Sequence, residues 1–299
     1  MGKNAIEIEG LKFAYGRDGV LKGVDLQVPE GSIFGFLGRN GSGKTTTIKL
    51  LLGLLKPDDG FCRIEGINPQ KDAISVRRIV GYMAEDQQMY GWMRIEQIVK
   101  WVASFYPTWD SKFTNQLLDM LELPRKNKVK TLSKGQNSRL ALLLALGHRP
   151  KVVILDDPTL GLDPIARKEF LRYVIGLLQT NGVTVFFSSH LLYEIEPVAD
   201  YVAILDKGTI IKTGRTFDLR ESVKKVVLNT SQNDFSKIEG VLDASKAGER
   251  VALTVENCNA EKINKIKDSY GGFVRVIGLN LDEIFEAYVI GNRGEATGV

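Results

Sequence analysis

The hydrophobic pattern opens with two strand-like runs, "AIEIEGLKFAY" and "GVDLQVPEGSIFGFLG", and then predicts a helix from Lys44 to about Leu55. Pro57 and Gly60 close that unit, and "FCRIEGINP" starts another strand. From Ile95 to about Leu123 the pattern turns helical, with Trp92, Trp101, Phe105 and Trp109 making it aromatic-rich; the rings read as helix-packing core. "LALLLAL" (Leu140–Leu146) is soon followed by His148, Arg149 and Pro150. It predicts a buried helix, because a membrane span needs roughly 18 apolar residues. Strands and helices then alternate: "KVVILDD", "ARKEFLRYVIGLLQ", "GVTVFFSS" and "YVAILDKGTIIKTG". Continuous apolar strands such as VVIL and VTVFF, separated by helices, predict a largely parallel sheet covered on both faces.

The character changes after about Asp218. The tail reads as a strand (Val226–Asn229), a short helix near Phe235, strands at Val241–Ala244 and Arg250–Val255, a helix (Ala260–Asp268), a strand (Phe273–Ile277) and a last helix (Leu281–Ile290). The order βαββαβ predicts a split-βαβ, ferredoxin-like α+β domain. The expected division is a first α/β domain over 1–218, with a helical subdomain at about 86–140, and an accessory domain over 219–299.

Composition adds little to this picture. At 299 residues, with 43% hydrophobic and 25% charged, the chain suits a soluble protein of two unequal domains. A net charge of +4 is compatible with phosphates or an anionic membrane surface and far too weak to argue for nucleic acid. Cys62 and Cys258 suggest neither a disulfide framework nor a metal motif, so a reducing cytoplasm is expected. The start, "MGKNAIEIEG", shows no apolar signal core, and Ile6 occupies the Ser/Thr position of a myristoylation motif.

The chemistry concentrates in "GRNGSGKTT", Gly38–Thr46. It fits G-x-x-x-x-G-K-[ST] in full, follows the strand-like "SIFGF" and opens a helix, the context that confirms a phosphate-binding loop. Its glycines let backbone N–H groups wrap phosphates, with the positive end of the helix behind them. Lys44 would reach the β- and γ-phosphates, and the Thr45 hydroxyl would ligate Mg²⁺.

Further along, Leu132–Gln136 in "TLSKGQNSRLALLLAL" resembles the LSGGQ signature of ATP-binding cassette (ABC) proteins. "VVILDDPTLGLDP" resembles that family's Walker B strand and D-loop, and "SSHLLYEIEPVADYVAIL" its H-switch; order and spacing agree over about residues 5–215. "FYPTWD" and the small tail domain resemble the bacterial branch that powers drug, peptide or antibiotic exporters. The resemblance implies a P-loop NTPase core with ATP and Mg²⁺ as cofactors. Tyr15 would stack on adenine. Gly38, Asn40, Gly41, Ser42, Gly43, Lys44, Thr45 and Thr46 would hold the phosphates and Mg²⁺, and Asp156 would bind the metal through its water. His190 would grip the γ-phosphate. Ser133, Gly135 and Gln136 would close over ATP held by a second, identical or different, subunit, and Asp163 would cross that interface.

Three positions depart from the family pattern. Lys134 replaces the first signature glycine. Glu85 stands where the Q-loop glutamine links Mg²⁺ to the transporter contact surface, so it is a candidate for both metal and water; Gln87 and Gln88 allow a shifted alignment. Asp157 takes the place of the catalytic glutamate and is the candidate base, one methylene short. The implied whole is the ATPase subunit of an exporter, peripheral on the cytoplasmic face of the membrane. Its separate transmembrane permease would dock near Trp92, and no nucleic acid is expected. A soluble ABC protein of repair or translation, and an ATP-binding switch that hardly hydrolyses, stand as alternatives.

Overall fold

Ile6, Ile8, Leu11 and Phe13 are buried along β1 (Asn4–Tyr15), as are Leu21, Val24, Leu26 and Val28 along β2 (Asp18–Pro29), with exposed residues interleaved. Such alternation buries one face of an antiparallel ladder, and β1 pairs antiparallel with β2 on one side and β4 (Asp59–Ile64) on the other. The computed structural model describes residues 3–179, 182–190, 192–232, 234–235, 237–270 and 275–291.

The run "GVDLQVPEGSIFGFLG" is broken in two: β2 ends at Pro29 and β3 (Ile33–Leu37) enters a different sheet. Proline offers no N–H to continue the ladder, and Gly31 turns the chain at φ 73°. Helix α1 (Lys44–Leu51) stops earlier than the apolar pattern, at Gly53, whose φ of 65° lets the chain leave. Several short elements escape the sequence reading, among them α2 (Ala73–Ile79) and β5 (Val80–Met83); at that length periodicity carries no signal.

The single helical stretch over Ile95–Leu123 is two helices, α3 (Ile95–Ala103) and α4 (Ser111–Met120). The Asp110 carboxylate starts the second by accepting the Phe113 N–H at 2.9 Å. The aromatic residues correct the expectation of core. Trp92, Trp101 and Phe105 are 66, 41 and 60% exposed. Tyr90, Trp101 and Phe105 form an edge-to-face chain of rings on the surface, with centroids 5.0 Å apart, and Trp92 lies tilted against Tyr90 at 6.1 Å. Trp109 alone packs inward, against Gly147, where any side chain would strike the indole. Helix α5 (Lys134–Leu146) buries every residue from Leu140 to Leu146, and no described helix is long and apolar enough to cross a membrane.

Strand β6 (Val152–Asp156), helix α6 (Pro164–Gln179) and β7 (Thr184–Ser189) follow. Strands β5, β6, β7 and β3 lie side by side in that order, all parallel, with Val80 opposite Val152, Val152 opposite Thr184 and Ile33 opposite Val185. Every residue of β3, β6 and β7 is buried, as a sheet covered on both faces requires. Next come α7 (Leu192–Ile195), β8 (Tyr201–Asp206), β9 (Thr209–Arg215) and α8 (Thr216–Ser222).

The chain forms two bodies, Met1–His190 with Leu205–Ile210, and Leu191–Ile204 with Ile211–Val299. The second contains β10 (Lys224–Asn229), β11 (Val241–Ala247), β12 (Arg250–Val255), α9 (Ala260–Tyr270), β13 (Arg275–Gly278) and α10 (Leu281–Ile290). Its sheet is antiparallel in the order β11-β12-β10-β13, and Val226, Leu228, Leu253 and Ile266 centre its core. The expected helix near Phe235 is absent among the described residues. The segment makes one turn, Ile238 N–H to Phe235 O, and Phe235 instead packs on Tyr270 at 5.3 Å. One turn is below what helix nucleation needs. The expected start of the fourth strand, at Phe273, lies outside the described residues.

Candidate nucleotide site

Strand β3 runs straight into the glycine loop. Gly41 (φ 79°) and Gly43 (φ 113°) adopt conformations that side-chain-bearing residues avoid. A Cβ on Gly43 would also sit 2.6 Å from Leu21 Cδ2. Gly43 caps α1 without any side-chain hydrogen bond, so the first N–H groups of the helix face the loop unclaimed by a cap. Donors of that kind at a helix N-terminus bind anions. The loop is tied from behind. Ser42 N–H donates to Arg39 O, Gly208 N–H donates to Ser42 O at 3.1 Å, and Gly208 O accepts Lys22 N–H at 2.9 Å. Asn40 and Gly41 stand at the exposed tip.

Lys44 is the buried cation of the site, 6% exposed. Its Nζ donates to Gly38 O at 2.8 Å and lies 3.9 Å from Asp157 Oδ2. Burial pushes its pKa down, opposed by Asp157, Asp156 and Glu85. Thr46 and Thr47 are buried in the same turn, Thr47 Oγ1 donating to Gly43 O.

Strand β6 delivers the paired acids. Asp156 is fully buried, and neither of its carboxylate oxygens accepts a hydrogen bond of normal geometry. Burial pushes its pKa up, with the nearby Thr45 and Ser188 hydroxyls pulling the other way. A buried anion without a partner is costly and calls for a cation. One hydroxyl, one carboxylate and open positions for water or phosphate oxygens suit Mg²⁺, which keeps several waters and seldom sits in an all-protein cage.

Asp157 turns away from its neighbour. Its φ of 43° lies in the left-handed region, and its Oδ1 accepts the His190 N–H at 3.1 Å and meets His190 Nδ1 at 2.7 Å. The strand beside it supports the turn, Asp157 N–H donating to Ser188 O. One carboxylate thus bridges the lysine of the glycine loop and the histidine after β7. Glu85 is exposed and makes no ion pair among the described residues, although its charge reaches Lys44 and Asp156.

The remaining candidates lie apart from this cluster. Ser133 and Gln136 satisfy one another: Ser133 Oγ accepts Gln136 N–H, and Gln136 Oε1 accepts Ser133 N–H at 3.0 Å, a capping box for α5. With Gly135, Arg139 and the Gly161–Asp163 turn they line an open hollow of about 580 Å³. Asp163 starts α6 by accepting the Ile165 and Ala166 N–H groups. Exposed Lys134 lies along Gly161 (φ 74°), its Nζ 3.2 Å from where a Cβ would be. Tyr15 is half exposed and packs edge-on to Phe13 at 4.8 Å. Sequence reasoning missed Gly208; its "DKGT" context reads as a hairpin turn, with no sign that the turn would brace the loop.

A glycine loop between a buried strand and a helix, facing paired acids at the end of a neighbouring strand, defines a P-loop nucleotide-binding protein. The family model described as ABC transporter matches residues 21–160, and one described as an AAA domain matches 126–196. The bacitracin transport ATP-binding protein BcrA of Bacillus licheniformis is 33% identical over 297 residues, covering 91% of this chain and 97% of that protein. The ABC transporter ATP-binding protein YtrB of Bacillus subtilis is 28% identical, covering 96% and 99%. A solved structure described as the ATP binding subunit of an ABC transporter superposes with a TM-score of 0.66 at 28% identity, over 73% of this chain and 92% of that one. The chain belongs to the ABC transporter ATP-binding family and is an ATP-hydrolysing ABC ATPase.

Proposed function

We propose that the chain is the hydrolytic subunit of an ABC exporter, working at the cytoplasmic face of the membrane on a separately encoded permease. The observation that carries the hydrolytic part is the cluster of Lys44, Asp156 and Asp157–His190, with its unpartnered buried carboxylate. Lys44 and the loop N–H groups would hold the phosphates, and Thr45 and Asp156 would hold Mg²⁺, which when bound supplies charge neutralisation at the phosphate oxygens. Asp157 would orient the attacking water and accept its proton, with His190 fixing the carboxylate. Glu85 adds negative charge near the metal position. Tyr15 offers an exposed ring to adenine.

Two copies would enclose the nucleotides, each presenting Ser133, Gly135 and Gln136 to the other and meeting across Asp163. The open hollow at those residues and the exposed apolar Leu160 and Ile165 beside Asp163 support a second copy there. Export is supported by the name of the bacitracin relative, which matches over almost its full length. Docking of the permease is supported by the exposed ring chain of Tyr90, Trp92, Trp101 and Phe105, since large exposed aromatic patches mark interaction surfaces. Every phosphate-facing residue lies before Asp218, so residues 1–218 would bind nucleotide and 219–299 would serve regulation or pairing.

The test is ATPase activity and membrane recruitment in one preparation. The parent should hydrolyse Mg-ATP and sediment with membranes that carry its permease. Trp92→Ala/Trp101→Ala should keep basal hydrolysis and melting temperature, since surface changes cost about 0.5 kcal/mol or less, and lose sedimentation. Sedimentation equal to the parent's would remove the docking assignment; a parent with no turnover would remove the hydrolytic one.

A further inference from the structure

Residues 91–96 and 125–130 are laced together by their backbones. Ile95 N–H donates to Asn127 O at 3.1 Å, Glu96 N–H to Arg125 O at 3.0 Å, Val129 N–H to Met93 O at 2.9 Å and Lys130 N–H to Gly91 O at 3.1 Å. Arg94 and Lys128 sit opposite each other in an antiparallel bridge. Together with Lys100 on α3, the lacing gathers six cations, Arg94, Lys100, Arg125, Lys126, Lys128 and Lys130, around the single carboxylate of Glu96. The whole chain carries a net charge of only +4. Arg125 is satisfied, its Nη2 2.7 Å from Asp119 Oδ1. The other five are exposed and make no ion pair among the described residues.

Folding alone gives no reason for this cluster. Other exposed lysines find carboxylates: Lys3 meets Glu65 at 2.7 Å, Lys12 meets Asp59 at 2.8 Å and Lys265 meets Glu261 at 2.8 Å. Like charges placed opposite one another are destabilising. Here the backbone bonds and Val129, buried between Lys128 and Lys130, hold them close against that repulsion. An anion from outside relieves it. The surroundings select the anion. Lys130 Cβ lies 3.2 Å from where a Cβ on Gly91 would be, one residue before Trp92, and Lys100 precedes Trp101, so the strip continues the exposed rings. Protein interfaces are enriched in Arg and depleted of Lys, and four of the five open cations are lysines. Trp and Tyr beside Lys and Arg are the side chains of a membrane–water boundary, where basic clusters attract anionic headgroups.

We propose that Arg94, Lys100, Lys126, Lys128 and Lys130 bind the headgroups of anionic phospholipids. The proposal goes beyond docking of the permease at the rings: the rings take the permease, and the strip beside them takes the lipid that surrounds it. Charge spread over an exposed strip suits a surface of many headgroups, each met by one ammonium or guanidinium, and needs no pocket. The strip requires no permease to bind lipid, so the two readings fail separately.

The experiment sediments the full-length chain with permease-free vesicles of phosphatidylcholine, either pure or mixed with an equal part of phosphatidylglycerol. The parent should bind the mixed vesicles and not the pure ones. It should come off as salt rises from about 0.01 to about 1 M, which shortens the screening length roughly tenfold. Each cation near an anionic surface strengthens binding about fivefold. Lys126→Gln/Lys128→Gln/Lys130→Gln should therefore weaken it about 100-fold at an unchanged melting temperature, whereas Arg at the same three positions should bind within about twofold of the parent. Lys128→Gln alone, expected to cost about fivefold, decides the matter if the triple variant does not fold. Lys3→Gln/Lys12→Gln removes lysines that already have partners and should cost less than about twofold. A parent that ignores the mixed vesicles overturns the proposal and leaves permease docking to its own test with Trp92→Ala/Trp101→Ala. An equal loss, lysine for lysine, in Lys3→Gln/Lys12→Gln overturns it as an effect of net charge. If the Gln triple loses only binding to permease-bearing vesicles of pure phosphatidylcholine, the strip meets an acidic segment of the permease, and the lipid proposal falls.

Discussion

Asp157→Asn changes charge while keeping shape, which isolates what the carboxylate does. At φ 43°, Asn is tolerated as well as Asp, because both hydrogen-bond locally in the left-handed region. The amide oxygen can still accept the His190 N–H. The missing piece is an anion 3.9 Å from Lys44 Nζ. Opposite unit charges at about 4 Å attract by about 4 kcal/mol at an effective dielectric of 20. Removing that attraction frees Lys44 for phosphate, so Mg-ATP affinity should stay level or rise. Removing a general base costs about 10²- to 10⁴-fold in rate, which is roughly 2.7 to 5.4 kcal/mol of barrier. Asp157→Glu runs the other way. Its carboxylate reaches about 1.5 Å further, one C–C bond, and a misplacement of about 1 Å can cost on the order of 10²-fold. It also gives up the local bonding that eases φ 43°, at a cost of about 1–2 kcal/mol. The expected pair of results is kcat down at least 100-fold in Asp157→Asn, against kcat raised but a lower melting temperature in Asp157→Glu. Phosphate release at saturating Mg-ATP, with calorimetric affinity and a thermal scan, reads all of it. An Asp157→Asn rate within about tenfold of the parent would refute Asp157 as the base. An undiminished melting temperature in Asp157→Glu would refute the backbone argument.

His148 is 2% exposed, stacked on Tyr106 at 4.1 Å, and burial pushes its pKa down from 6.5 to about 4. A depressed value means that its contribution to stability is whole above pH 6.5 and lost as pH falls from there through 4, at most about 3 kcal/mol. His148→Phe, which keeps the stack, should lose less melting temperature than the parent over that window; parallel pH curves would contradict this. Asp156 has the opposite sign. Burial raises its pKa above the ordinary 3.8, so its contribution is present below that and lost as pH rises through the raised value. Asp156→Asn should melt about 2–4 °C higher per kcal/mol gained when nucleotide-free at neutral pH, and Mg²⁺ should no longer strengthen its ATP binding. Unchanged melting with intact Mg²⁺ dependence would show that Asp156 is neither strained nor a metal ligand.

The parts legible in the sequence were those fixed within one segment. Gly38–Thr46 carries its own geometry in its glycines, and VVIL and VTVFF announce burial on two faces by their lack of alternation. Where two segments must meet, the chain gave no sign. The histidine of "SSH" and the second acid of "LDD" each resemble a family position. That they share one hydrogen-bonded carboxylate depends on β6 and β7 being neighbours and on the left-handed turn at Asp157. The ring chain from Tyr90 to Phe105 misled because a stripe of aromatics at helical spacing has the same pattern whether it faces core or solvent. Phe235 misled for a different reason: the segment makes only one turn, to Ile238, and the ring packs on Tyr270.

Gly208 sets when, during synthesis, the phosphate loop is braced. Gly208 joins residue 22 to residue 42 through its own N–H and C=O, and any side chain there would overlap the Val20 carbonyl. A chain leaving the ribosome has its whole phosphate-binding motif outside after Thr46, yet the brace on that loop arrives about 160 residues later. At about 5–20 residues per second, the nascent protein spends on the order of ten seconds with the motif complete and the brace missing. The brace on the loop is therefore acquired late in synthesis, after strands β1 to β7 have been made, and a ribosome stalled before residue 208 would display a P-loop sequence without its brace.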